Sequence, residues 1–430
     1  MLKGLNKYLL AAVAAFALLV GKPQGMLGQD ALIREGDTLS LEQCIDIALQ
    51  AHPDVIGAQK KVEAQQSVVG QVSSQNYPTL SASTNYSRSS PAGSSTYSDY
   101  SSDVSVSQVI TDFGKRETQI GLEKENVTVT EFEASDKQRT VVYGVCEAYY
   151  GVLAAKRNVA VAEETVKQFE EHLKQAQGFY EAGTAPRFDV TKAQVDLSNA
   201  RLELIKARSS LQIAWKSLSN AMGLMDVPPY DIADDMDFKV YEITKGDALQ
   251  KAFSNRPDLK AQEHSAVSAQ QSLKLAAKGL SPSLSAYAAY NFEGREFPLD
   301  EGWNFGITMD IPLFDGHLVE YKVKEAQANL EQANLATESM KNDISLEVEQ
   351  GYLSLAEYGE SVEVTKLAVK QAQENLDLAL GRYQAGVGSP IEVTDATVAL
   401  SDAKKSYIQA LYDYRMAEIT LKSAMGEKMP

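Results

Sequence analysis

Four stretches of the chain alternate apolar and polar residues with a period of two, the pattern of strands with two unlike faces. Pro78–Arg88 puts Leu80, Ala82, Thr84 and Tyr86 on one face, with Thr79, Ser81, Ser83 and Asn85 opposite. Asp103–Phe113 sets Val104, Val106 and Ile110 against Ser105, Ser107 and Thr111. Further on, Leu284, Ala286, Ala288, Tyr290 and Phe292 share a face. Trp303–Phe314 sets Trp303, Phe305, Ile307, Met309, Ile311 and Leu313 against Asn304, Gly306, Thr308 and Asp310. Serine-, glycine- or charge-rich segments join the members of each pair, so two hairpins are expected.

Around the hairpins the pattern is helical. Leu41–Gln50 and Asp54–Gln75 read as helices, the second starting after Pro53. From Gly114 to Ala182 there is no proline and glycine is sparse; His317–Ala385 has the same character, and each stretch is 69 residues long. At 1.5 Å per residue such a helix measures about 100 Å, which points to coiled-coil-like packing. Ala326, Ala333, Ala336, Ala368 and Ala372 are the inward candidates, suited to closely approaching helices. Arg187–Gly223 forms the next helix. Gly386 is placed to end its helix in a left-handed turn, and Ser389-Pro390-Ile391-Glu392 reads as a capping box that opens the next.

These elements come twice. Tyr180–Gly223 laid over Tyr383–Gly426 without a gap gives 17 identities in 44 positions, and Pro53-Asp54 returns as Pro257-Asp258. A period this long marks two structural copies. The expected division is a signal segment at 1–28, a first repeat at 29–224, an acidic linker at 225–244 and a second repeat at 245–430. Each repeat reads helix, hairpin, long helix, helix. The fold class is therefore mainly α with a small β part.

Composition narrows the function. Lys3 and Lys7 precede an apolar run from Tyr8 to Val20, too short to span a membrane and suited to a cleaved secretory signal. With Lys3, Lys7 and Lys22 removed, the formal charge goes from −17 to −20, a poor match to nucleic acid. The four histidines (His52, His172, His264, His317) are scattered without metal-ligand spacing, and no nucleophile, P-loop or dinucleotide motif occurs. An enzyme, a metal site or a cofactor is not expected. Cys44 and Cys146 are either a disulfide or buried fillers.

Strands of this length with an apolar face fit a transmembrane β-barrel, with Leu80, Tyr86, Val104, Val106, Leu284, Tyr290, Trp303, Phe305, Ile307, Met309 and Ile311 facing lipid. Four strands cannot close a barrel with a lumen, and an open edge is not tolerated in lipid. Three copies sharing one barrel are the economical solution. A secreted coiled-coil scaffold without a pore is the competing reading.

The twofold order helix, hairpin, long helix, turn, helix resembles the TolC-like outer membrane efflux proteins over about Leu41–Gly426. Its most specific words are YQAGVGSPIEVTDA (Tyr383–Ala396), QVITDFGK (Gln108–Lys115) and PLFDGH (Pro312–His317). The resemblance implies a homotrimer with a shared 12-stranded barrel in the outer membrane and an α-helical tunnel reaching into the periplasm. Met225–Thr244 and the N-terminal helix would form an equatorial band, at a height where Cys44 and Cys146 could pair. The resemblance further implies export with a periplasmic adaptor and an inner-membrane pump of RND, ABC or MFS type. The adaptor would meet the turns around Gly183, Arg382, Gly386 and Ser389. Tyr383 and Asp189 would hold the tunnel closed, Glu392 and Asp395 would ring the constriction, and Gly388 stands where some members carry a reinforcing arginine.

Overall fold

The computed structural model describes residues 33–427 except 94 and 226, so the expected signal segment lies outside the described residues. Two compact units are distinguished. Of the described residues the smaller comprises 33–38 and 228–231; within it the Gly36 amide donates to the Pro229 carbonyl at 2.9 Å. The larger, described over residues 39–227 and 232–427 except 94 and 226, holds all that follows.

Its helices are α1 (Leu41–Ala51), α2 (Pro53–Ser73), α3 (Lys115–Glu181), α4 (Arg187–Ala221), α5 (Lys245–Asn255), α6 (Pro257–Ala277), α7 (Leu318–Gln384) and α8 (Pro390–Ala424). The two halves match helix for helix: 11, 21, 67 and 35 residues in each. Local chemistry sets the ends. Ser40 and Gln43 close a capping box on α1, and proline stands in the first turn of α2, α6 and α8, where its missing N–H costs nothing.

The strands are β1 (Thr79–Ser89), β2 (Tyr97–Thr111), β3 (Ser283–Gly294) and β4 (Asp300–Asp310), antiparallel in the order β1-β2-β3-β4. β2 starts six residues before the expected Asp103, because Tyr97–Ser102 continue the ladder opposite Ser89–Thr84 despite their serines and aspartate. β4 ends at Asp310 rather than Phe314; Pro312 has no N–H to donate to a ladder. A register shift between Val109 and Thr111 interrupts the alternation at Ile110.

Helices and strands meet at two equivalent corners. Asp112 accepts from the Lys115 and Arg116 amides, and Asp315 accepts from the Val319 amide. In each corner two consecutive residues take positive φ: Phe113 and Gly114 before α3, Gly316 and His317 before α7. The words QVITDFGK and PLFDGH are thus one strand-to-helix device written in two ways.

The long helix α3 stands between shorter ones, and α7 ends the row. Near the sheet the packing order is α2–α3–α6–α7; toward the far ends it is α4–α3–α8–α7. Both rows finish on α7 at one side, and on α2 or α4 at the other. Ala326 is buried, but Ala333, Ala368 and Ala372 are half-buried and Ala336 is exposed, so the expected alanine seam is only partly inward within one chain. Cys44 and Cys146 are both free and fully buried where α1 packs on α3; burial pushes both thiols up to about 12. Of the two readings they fit the fillers, and no disulfide joins them.

Candidate functional site

Two regions carry the residues singled out from the sequence. The first is the sheet. Its register aligns side chains in rows, since residues directly opposite across a ladder share a face. One face stacks Leu80, Val106, Ala288 and Phe305 in a row, and Ala82, Val104, Tyr290 and Trp303 in the next. Leu284 pairs with Met309 and Ala286 with Ile307 on the same face, and Tyr86 lies opposite Tyr100. The other face stacks Ser81, Ser105, Ala289 and Asn304, then Ser83, Asp103, Asn291 and Gly302. Ser83 donates to Asp103 across this face.

Every residue expected to face lipid therefore lies on one side, apart from Ile311, which falls just beyond β4. Leu80, Tyr86, Val104, Val106, Tyr290, Trp303, Phe305, Ile307, Met309 and Ile311 are exposed within the chain. β1 and β4 remain open edges. No described helix is long and apolar enough to cross a membrane.

The second region is the pair of helix turns at the far ends of α3/α4 and α7/α8. Their backbones are the same. The amide of Thr184 donates to the Phe179 carbonyl and that of Gly183 to the Tyr180 carbonyl, both at 2.9 Å. In the second copy Val387 donates to Arg382 and Gly386 to Tyr383, both at 3.0 Å. These are Schellman closures with glycine at φ +73° in each. A Cβ at Gly386 would meet nothing within 4 Å, so the requirement for glycine is conformational.

Side chains distinguish the turns. In the second, Arg382 Nε donates to Glu392 at 3.1 Å, and this bond holds the Glu392 carboxyl below its ordinary range. The Ser389 hydroxyl accepts from the Ile391 amide at 3.2 Å, not from Glu392, so the box is not closed in the expected form. Gly388 has no room for a side chain: a Cβ there would meet Tyr383 N at 2.8 Å and the Arg382 carbonyl carbon at 2.9 Å. The reinforcing arginine cannot stand at this position. Asp395 is exposed and has no ion pair among the described residues.

Tyr383 is only 5% exposed, packed with Leu376, Ala379, Val393, Ala396 and Leu400. Its ring meets the rings of His172 and Phe179 on α3, each at 5.3 Å between centroids. Its hydroxyl has no hydrogen-bond partner; burial, and secondarily the Asp189 charge, raise its pKa. The structure thus brings Tyr383 and Asp189 into electrostatic range without a hydrogen bond between them. A bond that does cross between the repeats here lies deeper: Thr394 Oγ1 donates to Asp196 at 3.1 Å, and Lys192 grips the same carboxylate at 2.9 Å.

His172, Asp196 and Thr394 escaped the sequence reading. His172 carries no motif, and its counterpart at the repeat offset is Asn375, so the repeat gave no signal for it. Among the described residues no cluster of His, Cys, Asp and Glu could hold a metal ion.

Comparison with known proteins bears on both regions. The family model described as outer membrane efflux protein matches residues 44–224 and 248–427. Outer membrane protein TolC of Escherichia coli is 31% identical over 121 residues, covering 28% of this chain and 24% of that protein. Nodulation protein T of Rhizobium leguminosarum is 25% identical over 178 residues, covering 40% of this chain and 38% of that one. These alignments thus span well under half of each relative's length. Among solved structures, CusC superposes at TM-score 0.81 with 19% identity, over 94% of this chain and 99% of its own. The open state of the Neisseria gonorrhoeae MtrE outer membrane channel gives TM-score 0.78 with 19% identity, over 94% and 93%. These likenesses concern the fold.

Proposed function

The chain belongs to the outer membrane efflux protein family, and from that premise we propose that it is one protomer of a trimeric channel-tunnel. It is an outer membrane protein. In the proposal three chains share a 12-stranded barrel, and their helices continue as a tunnel into the periplasm. The two halves are a tandem duplication, with residues 225–244 in an equatorial band. A periplasmic adaptor meets the turns around Gly183, Arg382, Gly386 and Ser389, and an inner-membrane pump supplies the energy.

The observation that carries this reading is the pair of open edges. The sheet presents an apolar face to its surroundings and leaves β1 and β4 unpaired, which lipid forbids in a lone chain. The helical row ends in the same condition. On α4, Phe188, Val195 and Leu202 recur every seven residues and are exposed, as are Ile205 and Ile213. On α7, Leu346, Leu353, Val364, Leu367 and Leu378 are exposed opposite the buried Val348, Leu355 and Leu376. A helix apolar on two opposite sides needs two neighbours. Identical copies set edge to edge satisfy strands and helices together.

The duct needs no catalytic group; it offers a wet path past the membrane. In it the turns form the constriction, closed by the packing of Tyr383 beside Asp189. Six carboxylates from Glu392 and Asp395 would ring one axis and attract cations. Because Glu392 already pairs with Arg382, Asp395 carries the larger share of that field.

The full-length protein extracted in detergent tests the assembly by light scattering: a trimer is expected, and a stable monomer overturns the shared barrel. In planar bilayers, Asp395→Asn is expected to weaken block by multivalent cations more than Glu392→Gln. Equal block in wild type and both variants removes these carboxylates from the pore.

A further inference from the structure

His172 lies on α3, is 3% exposed, and its Nδ1 atom has no hydrogen-bond partner. The hydroxyl of Tyr383, whose ring packs on the imidazole, is likewise unpartnered. Two buried polar groups without partners, on tilted rings whose centroids are 5.3 Å apart, are costly to keep. The surrounding groups are specific. From α4, His172 is faced by the charges of Asp189, Lys192 and Asp196; from α7 by Tyr383; and α8 enters through Thr394, which holds Asp196. Phe169, Leu197 and Ala200 form an apolar layer along the same helices.

We propose that His172, packed against Tyr383 and within electrostatic reach of Asp196, is an acid-sensitive latch that keeps the two turns together at neutral pH and releases them on acidification. The latch rests on the reading of these turns as the gate of the tunnel. A neutral imidazole is tolerated in the layer. An imidazolium is not, unless it reaches water or a carboxylate. The neighbouring carboxylates are Asp189 and Asp196, and Asp196 is already engaged by Lys192 and Thr394. A proton on His172 therefore either draws Asp196 away from Thr394 or drives the ring out from under Tyr383. Both moves loosen α3 from α7 and α8 at the turns.

The direction follows from burial, which lowers the His172 pKa from its ordinary 6.5. The closed arrangement binds fewer protons than an open, hydrated one. Its advantage is complete above 6.5 and is lost as pH falls toward the lowered value.

Amide exchange of the detergent-solubilised full-length protein, corrected for intrinsic rates, reads the latch without needing a pore. Between about pH 7.5 and about pH 5, protection of residues 176–200 and 380–400 is expected to fall roughly tenfold in wild type. In His172→Gln it is expected to stay constant, because the side chain no longer titrates. His172→Phe, which fills the apolar layer, should behave like His172→Gln and shows that the variants still fold. The same turns opening in His172→Gln as in wild type, or no opening in wild type, overturns the proposal. Open probability in planar bilayers separates the two readings. Acid-dependent exchange without conductance defeats only the channel; conductance with acid-independent exchange defeats only the latch.

Discussion

Tyr180 and Tyr383 open the same repeated phrase, end equivalent helices and sit before identical backbone turns, yet Tyr180 is 45% exposed and Tyr383 5%. The difference does not come from their own segments. Tyr383 is covered because α3 lies beside α8 and brings His172 and Phe179 over it. Tyr180 closes a turn with α4, the helix that ends the row, and remains exposed. The turns differ likewise. The second is braced by Arg382 and Glu392 and roofed at Gly388; in the first, Pro186 offers no side-chain cap, and backbone bonds do most of the closure. One sequence pattern thus produces a closed site where the chain supplies a neighbour, and an open one where it does not.

The comparison breaks most sharply at the tyrosines. Tyr383→Ala removes a buried aromatic and is expected to cost about 3–5 kcal/mol in denaturant unfolding, whereas Tyr180→Ala in the isolated chain should cost well under half of that. If an assembled trimer makes Tyr180→Ala as costly as Tyr383→Ala, the neighbour covers it.

Next come the glycines, where the copies should agree. Gly183→Ala and Gly386→Ala each place a side chain at φ +73° in open space. Equal losses of about 1–2 kcal/mol are expected from the left-handed conformation alone. A markedly larger loss at one of them would reveal a contact to that turn from another chain.

A smaller effect belongs to the second turn alone. The Arg382 bond lowers the Glu392 pKa, so the contribution of the pair is complete above the ordinary glutamate value of 4.5 and disappears as pH falls through the lowered one. Arg382→Ala should return the Glu392 titration, followed by carboxyl NMR, to that ordinary value and remove its salt sensitivity. The smallest effect is Tyr383→Phe. The hydroxyl has no partner, so stability should change by less than about 0.5 kcal/mol and leak conductance should not rise. A leak comparable to that of Tyr383→Ala would instead show that the hydroxyl finds Asp189 in the assembled tunnel.

The sequence alone determined the elements and their order along the chain. A hydrophobic period of two or of a helical turn is a local property, and so are proline at a first turn and glycine after a last one; helix lengths came within a few residues for that reason. The ends of β2 and β4 were less legible, because ladder pairing opposite Ser89–Thr84 and its interruption before Pro312 depend on a partner strand. The proposed gate was legible only in outline. Tyr383, Asp189 and Glu392 were implied by the resemblance to the efflux family, and neither that resemblance nor the repeated phrase says which tyrosine is buried. His172, Asp196 and Thr394 come together from α3, α4 and α8, and no local pattern marks residues whose meeting depends on how helices from two repeats are laid side by side. The same holds for Gly388, where the approach of the backbone at Arg382 and Tyr383, not any spacing in the chain, denies the place to a side chain. Packing between repeats decides these matters, because burial and electrostatic environment are properties of the neighbours and not of the residue itself.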